Sequence, residues 1–109
     1  MHTVVLRRDV YEKNPWVAQS LYKALVEAKA KALALFHQTA AMPAMLPWFV
    51  AYVEETRREM GDDWWPYGLG PNRHVLDTFL RYHHEQGLSK RRFTPEEIFA
   101  KETLDSFKV

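Results

Sequence analysis

The chain has 109 residues with 15 basic and 14 acidic side chains, and no cysteine. That length suits one domain able to bury about two thirds of its unfolded surface, and the balanced charge sets up no long-range field toward nucleic acid or an anionic membrane. Without cysteine there are no disulfides, thiolate nucleophiles or Cys-based metal sites, and the redox compartment is left open.

The N-terminus begins with His2, a β-branched pair and two arginines, which is not the pattern of a secretory signal. The longest apolar-rich region, residues 28–46, is interrupted by Lys29, Lys31, His37, Gln38 and Pro43, so no membrane span is expected.

Residues 2–8 are rich in β-branched side chains and read as one short strand, with Val4, Leu6 and Arg8 on one face and Thr3, Val5 and Arg7 on the other. No later segment reads as a strand. A lone strand needs ladder partners, so the expectation is pairing with polypeptide outside the chain, either a missing N-terminal region or a second chain.

Asn14-Pro15 reads as a helix start, and the helix is expected to run to Phe36 or His37. Val17, Leu21, Leu25, Ala28, Ala32 and Leu35 recur at three- and four-residue steps as its core stripe. Residues 38–46 are an apolar connector. Pro47 opens a second helix with Phe49, Val53, Thr56 and Met60 on one side, Trp48 and Tyr52 as an aromatic strip beside them, and Gly61 as the stop. Pro71 opens a third helix carrying Val75, Leu76, Phe79, Leu80 and His83, closed by Gly87. Thr94-Pro95-Glu96-Glu97 is a capping box before a short terminal helix pair whose apolar side is Ile98, Phe99, Leu104 and Phe107.

Between the second and third helices lies the organising stretch, residues 62–72, with Trp64, Trp65 and Tyr67 among two breaker pairs, Pro66 to Gly68 and Gly70-Pro71. Rings with polar handles seek a packing surface and a hydrogen-bond partner. The segment therefore either plugs the side of a core or lines a ligand cleft.

His83-His84-Glu85 invites a metal reading that its spacing rejects. Helical ligands must stand three or four positions apart to share a face, and no further histidine completes a two-His zinc motif. A partly buried His83 beside an exposed His84 is expected instead. His74 and Asp77 read as a surface pair. Asp62-Asp63 follows a helix-ending glycine and reads as turn or cap chemistry rather than paired acids. Lys90-Arg91-Arg92, Arg7-Arg8 and Arg57-Arg58 read as solvated basic runs. There is no Gly-rich phosphate loop and no nucleophile elbow. His2, at the end of a strand that pairs elsewhere, is a candidate cleft residue.

Several separate blocks resemble the C-terminal part of the 4,5-dihydroxyphthalate decarboxylase family. They are Met1-His2-Thr3-Val4-Val5-Leu6-Arg7-Arg8-Asp9-Val10, Asn14-Pro15-Trp16, Gly61-Asp62-Asp63-Trp64-Trp65-Pro66-Tyr67-Gly68, Pro71-Asn72-Arg73, Phe79-Leu80-Arg81-Tyr82-His83-His84-Glu85-Gln86-Gly87-Leu88 and Glu102-Thr103-Leu104-Asp105-Ser106-Phe107. The family is similar to substrate-binding components of ABC transporters, with a type II periplasmic-binding-protein fold of two α/β lobes around a cleft. The resemblance implies that residues 1–109 are a single C-terminal segment of a larger two-lobe protein: mainly α, with one N-terminal strand belonging to an absent sheet.

The implied activity is decarboxylation of a small aromatic dicarboxylate, with His2, Trp64, Trp65 and Tyr67 as cleft-facing candidates and with catalytic residues and cofactor unassigned. The segment alone is expected to be inactive. The implied location is cytoplasmic for the enzyme. A transport component, which shares the fold without the catalysis, implies a periplasmic one.

Overall fold

The structure is a computed structural model that describes residues 2–104. Phe107 and the Asp105-Ser106-Phe107 end of the last resemblance block lie outside the described residues. The elements in chain order are α1 (Arg8–Lys13), α2 (Trp16–Phe36), α3 (Phe49–Met60), α4 (Leu69–Glu85), the single turn α5 (Pro95–Ile98) and a 3-10 turn, Lys101–Thr103. The mainly helical expectation is met. Contacts divide the chain into one unit of Met1–Tyr22 with Tyr67–Val109 and another of Lys23–Pro66.

The expected N-terminal strand is not formed. Among the described residues there is no strand and no sheet, so nothing in this chain displays the periplasmic-binding-protein fold. A strand is made by its ladder as much as by its composition. The backbone groups of Thr3, Val4, Val5 and Leu6 have no hydrogen-bond partner among the described residues, and Val4 and Val5 face solvent. Arg8, assigned to the strand, instead opens α1. The Arg7 carbonyl accepts from the Val10 and Tyr11 amides at 3.1 and 3.0 Å, while Asp9 places a carboxylate in the positive first turn.

In the first unit, the Asn14 and Pro15 carbonyls accept from Val17 and Ala18 at 3.0 and 3.2 Å, the helix start the Asn-Pro pair implies. Helix α4 begins two residues before Pro71, after Gly68. Pro71 therefore lies in the first turn, where a missing amide costs little. The buried positions of α4 are Leu69, Leu76 and Leu80, whereas Val75 and Phe79, expected in the core stripe, are half-exposed. The buried side of α4 packs against α5, whose Pro95 is fully buried. Apolar residues occupy more of this helix's circumference than is covered, so periodicity alone misplaces the boundary.

Helix α4 ends in a Schellman arrangement. Leu88 N–H reaches the His83 carbonyl at 3.0 Å and Gly87 N–H the His84 carbonyl at 2.9 Å, with Gly87 at φ 74. The expected terminal helix pair is reduced to α5 and the 3-10 turn, because Phe99 and Ala100 lie in extended backbone between them.

In the second unit, the protected side of α2 runs through Leu25, Lys29, Leu33 and Phe36, while the predicted Ala28, Ala32 and Leu35 are exposed. The stripe is rotated because a lysine belongs to it. Its aliphatic stem is covered while its amine finds acceptors, the usual way a long cation enters an apolar face. Helix α3 ends as expected, with Gly61 N–H on the Arg57 carbonyl at 2.9 Å. Phe49, Val53 and Thr56 are half-buried on it, but Met60 is exposed.

Candidate functional site

In the second unit, residues 62–66 of the organising stretch are tied down by charge as well as by ring packing. Lys29 Nζ lies 2.5 Å from Asp63 Oδ1 and donates to the Trp65 carbonyl at 3.0 Å. The Lys29 side chain is only 16% exposed, whereas that of Asp63 is 58% exposed. The latch spans 34 residues of sequence and holds the segment against α2. Its Coulombic part contributes at most about 1 kcal/mol, since one partner is solvated. Arg57 Nε and Nη2 both reach Asp62 Oδ1, at 3.0 and 2.7 Å. Asp62 and Asp63 are thus separately engaged by cations at a turn, in keeping with their reading as turn residues.

This latch sets Trp64 against an aromatic cluster. The Trp64 ring stacks on Phe36, with centroids 6.5 Å apart and planes 7° apart, and meets His37 edge-on at 6.5 Å. Phe36 in turn meets Phe49 edge-on at 5.4 Å. Such pairs add about 0.5–1.5 kcal/mol each beyond burial. Phe36, Phe49 and Trp64, with Leu46, Tyr52, Val53 and Thr56, line an open apolar groove of about 260 Å³. Of the two hydroxyls that α3 brings to this lining, those of Tyr52 and Thr56, the Thr56 hydroxyl donates to the Tyr52 carbonyl at 2.7 Å. The groove therefore offers packing surface and little to grip a charge.

The sequence candidates separate. Trp64 is half-buried and lines the groove. Trp65 is half-exposed in the same unit. Tyr67 is half-buried in the first unit, and His2 is exposed at that unit's N-terminal segment. Sequence reading overlooked Lys29 and Phe36 as parts of the cluster. The signal was available in their positions four and eleven residues beyond Leu25, a spacing that keeps all three on one helical face.

The polar contacts of the first unit are structural. Tyr11 Oη donates to Glu102 Oε2 at 2.8 Å, and this bond, helped by burial, holds the Tyr11 hydroxyl above its ordinary pKa. Glu97 accepts from the Thr94 amide at 2.7 Å and pairs with Arg91 at 2.8 Å; the amide first and Arg91 second hold its carboxyl below the usual range. Glu96 is lowered by its own backbone amide and then by Arg73, with which it forms an ion pair. Asn72 Nδ2 donates to the Gly68 carbonyl at 2.9 Å. His83 is half-buried with its ring 5.7 Å from Phe79, and His84 is exposed, as the spacing suggested.

Among the described residues no three His, Asp or Glu side chains gather as a metal site. No described helix is long and apolar enough to cross a membrane.

No family model matches the chain. Over all 109 residues it is 41% identical to a 4,5-dihydroxyphthalate decarboxylase of Comamonas testosteroni, and it spans 33% of that relative's length. The blocks that carried the resemblance thus belong to an alignment that covers the chain from end to end: along its whole length, this chain is similar to one third of a 4,5-dihydroxyphthalate decarboxylase.

Proposed function

We propose that this chain is the C-terminal portion of a two-lobe α/β protein that decarboxylates an aromatic dicarboxylate of the 4,5-dihydroxyphthalate type, and that it is inactive by itself. One observation carries this reading: 41% identity over the whole 109 residues to an enzyme of which they span only 33%. The unpaired backbone of Thr3 to Leu6 supports it, because a sheet in the remaining polypeptide would supply the missing partners. In the reaction, the bond between the ring carbon and its carboxylate breaks and its electron pair stays on the ring carbon. A proton arrives there and carbon dioxide departs. The step needs a positioned acid, and cations to hold the spectator carboxylate. His2, Trp65 and Tyr67 are the groups of this chain proposed to face the cleft, with Trp64 serving as packing.

The test is a chimera in which this chain replaces the aligned third of the Comamonas testosteroni enzyme. We expect it to release carbon dioxide from 4,5-dihydroxyphthalate, while the 109-residue chain alone releases none. A folded chimera without activity refutes the enzymatic reading. Turnover by the chain alone refutes the requirement for further polypeptide.

A further inference from the structure

The second unit, Lys23–Pro66, contains no fully buried residue, although it holds the densest aromatic cluster described in the chain. Phe36, Leu46, Phe49, Tyr52, Val53 and Trp64 present an open groove of about 260 Å³ rather than a closed core. Met45 and Trp48, next in sequence to the lining residues Leu46 and Phe49, are exposed, and Tyr52 is 60% exposed. An apolar patch of this kind marks a contact surface.

The chemistry of the groove selects the class of occupant. The Thr56 hydroxyl is engaged by the Tyr52 carbonyl, and Lys29, the cation tied to this cluster, is held by Asp63 and the Trp65 carbonyl. The lining is apolar apart from the Tyr52 hydroxyl, the Trp64 indole N–H and the engaged Thr56 hydroxyl, so a carboxylate entering it would shed its water for few donors and no cation. Aliphatic and aromatic side chains meet no such penalty.

We infer that this groove is the docking face for apolar side chains of the polypeptide corresponding to the other two thirds of the decarboxylase relative. The inference rests on the reading above, since the chain spans only 33% of that relative and the uncovered length supplies the occupant. Trp64 and Tyr52 are then interface anchors, and the Lys29 latch sets the position of Trp64 before docking. Large rings in a water-free pocket are the usual centres of such contacts.

Hydroxyl-radical footprinting read by mass spectrometry tests this on the free chain and on the chimera. Oxidation of Tyr52, Phe49 and Trp64 is expected to fall about five-fold or more in the chimera, as for rings that lose their water at an interface core. Tyr52→Glu in the chimera is expected to restore oxidation at Phe49 and Trp64, while leaving the helical circular dichroism of the free chain unchanged. An active chimera whose Tyr52 stays as oxidisable as in the free chain overturns the docking face and leaves the decarboxylase reading standing. A folded but inactive chimera overturns that reading instead. Protection in the free chain that grows with its own concentration assigns the groove to a second copy and also overturns the inference.

Discussion

Leu76→Ala and Val75→Ala, one residue apart on α4, distinguish the structure from the sequence pattern that placed both in the core. Leu76 is 3% exposed and shares its side of the helix with Leu69 and Leu80; Val75 is 51% exposed. Truncating a buried leucine removes three methylene equivalents at about 0.8 kcal/mol each, or about 2.4 kcal/mol of transfer free energy. The cavity left behind raises such losses into a range of about 2–5 kcal/mol. Few residues of this unit are fully buried, so the site is able to collapse, and we expect about 2–3 kcal/mol. A unit of this size has a total stability of only about 0.05–0.15 kcal/mol per residue, so Leu76→Ala takes much of it. Val75→Ala removes atoms that already meet water and is expected to cost about 0.5 kcal/mol. Urea titration followed by circular dichroism at 222 nm gives both values if the slopes match wild type. Equal losses for the two variants would refute the one-sided packing of α4 and restore the wider stripe.

Further outcomes follow from other contacts. Gly68→Ala places a Cβ 2.6 Å from the Tyr22 hydroxyl at φ 99, whereas Gly87→Ala meets nothing within 4 Å at φ 74. Both lose the glycine-only backbone at about 1 kcal/mol or more, and thermal melts should show the larger loss for Gly68→Ala, recovered in part by adding Tyr22→Phe. Lys29→Met keeps the apolar stem but leaves the Trp65 carbonyl without its lysine donor; we expect about 1 kcal/mol of destabilisation and a red shift in tryptophan emission as Trp64 loosens, and unchanged emission would refute the latch. Because Glu96 and Glu97 have lowered pKa values in the folded chain, their contribution is present above the ordinary carboxylate value and is lost as pH falls through the folded values. Glu97→Gln should flatten that acid limb of a pH-stability profile. The raised Tyr11 pKa has the opposite sign: its contribution is full below the ordinary tyrosine value and disappears as pH rises through the folded one, so Tyr11→Phe should remove an alkaline loss seen in wild type.

Local chemistry was legible in the residues themselves. The Asn14-Pro15 start, the Gly61 and Gly87 stops and the Glu97 half of the capping box are each decided by backbone groups a few positions away, and each stands in the structure where the pattern put it. The metal-like run around His83 and His84 was rejected by spacing alone, and the half-buried and exposed pair follows. The likeness to a decarboxylase was legible too, because it resides in residue identity, which needs no coordinates.

What required the tertiary structure was every question of which face meets which neighbour. Apolar periodicity marks the residues able to be buried. The covering partner decides which of them are, and α4 buries Leu76 but not Val75 for that reason. A lysine joined the protected stripe of α2 only because Asp63 and the Trp65 carbonyl, 34 and 36 residues away, supplied acceptors. Residues 2–8 show the same dependence from the other side: their composition favours a strand, yet a strand also needs a neighbouring strand, and none forms among the described residues. Identity and local caps are properties of short stretches, whereas burial and sheet formation belong to pairs of surfaces, and only the folded chain brings those surfaces together.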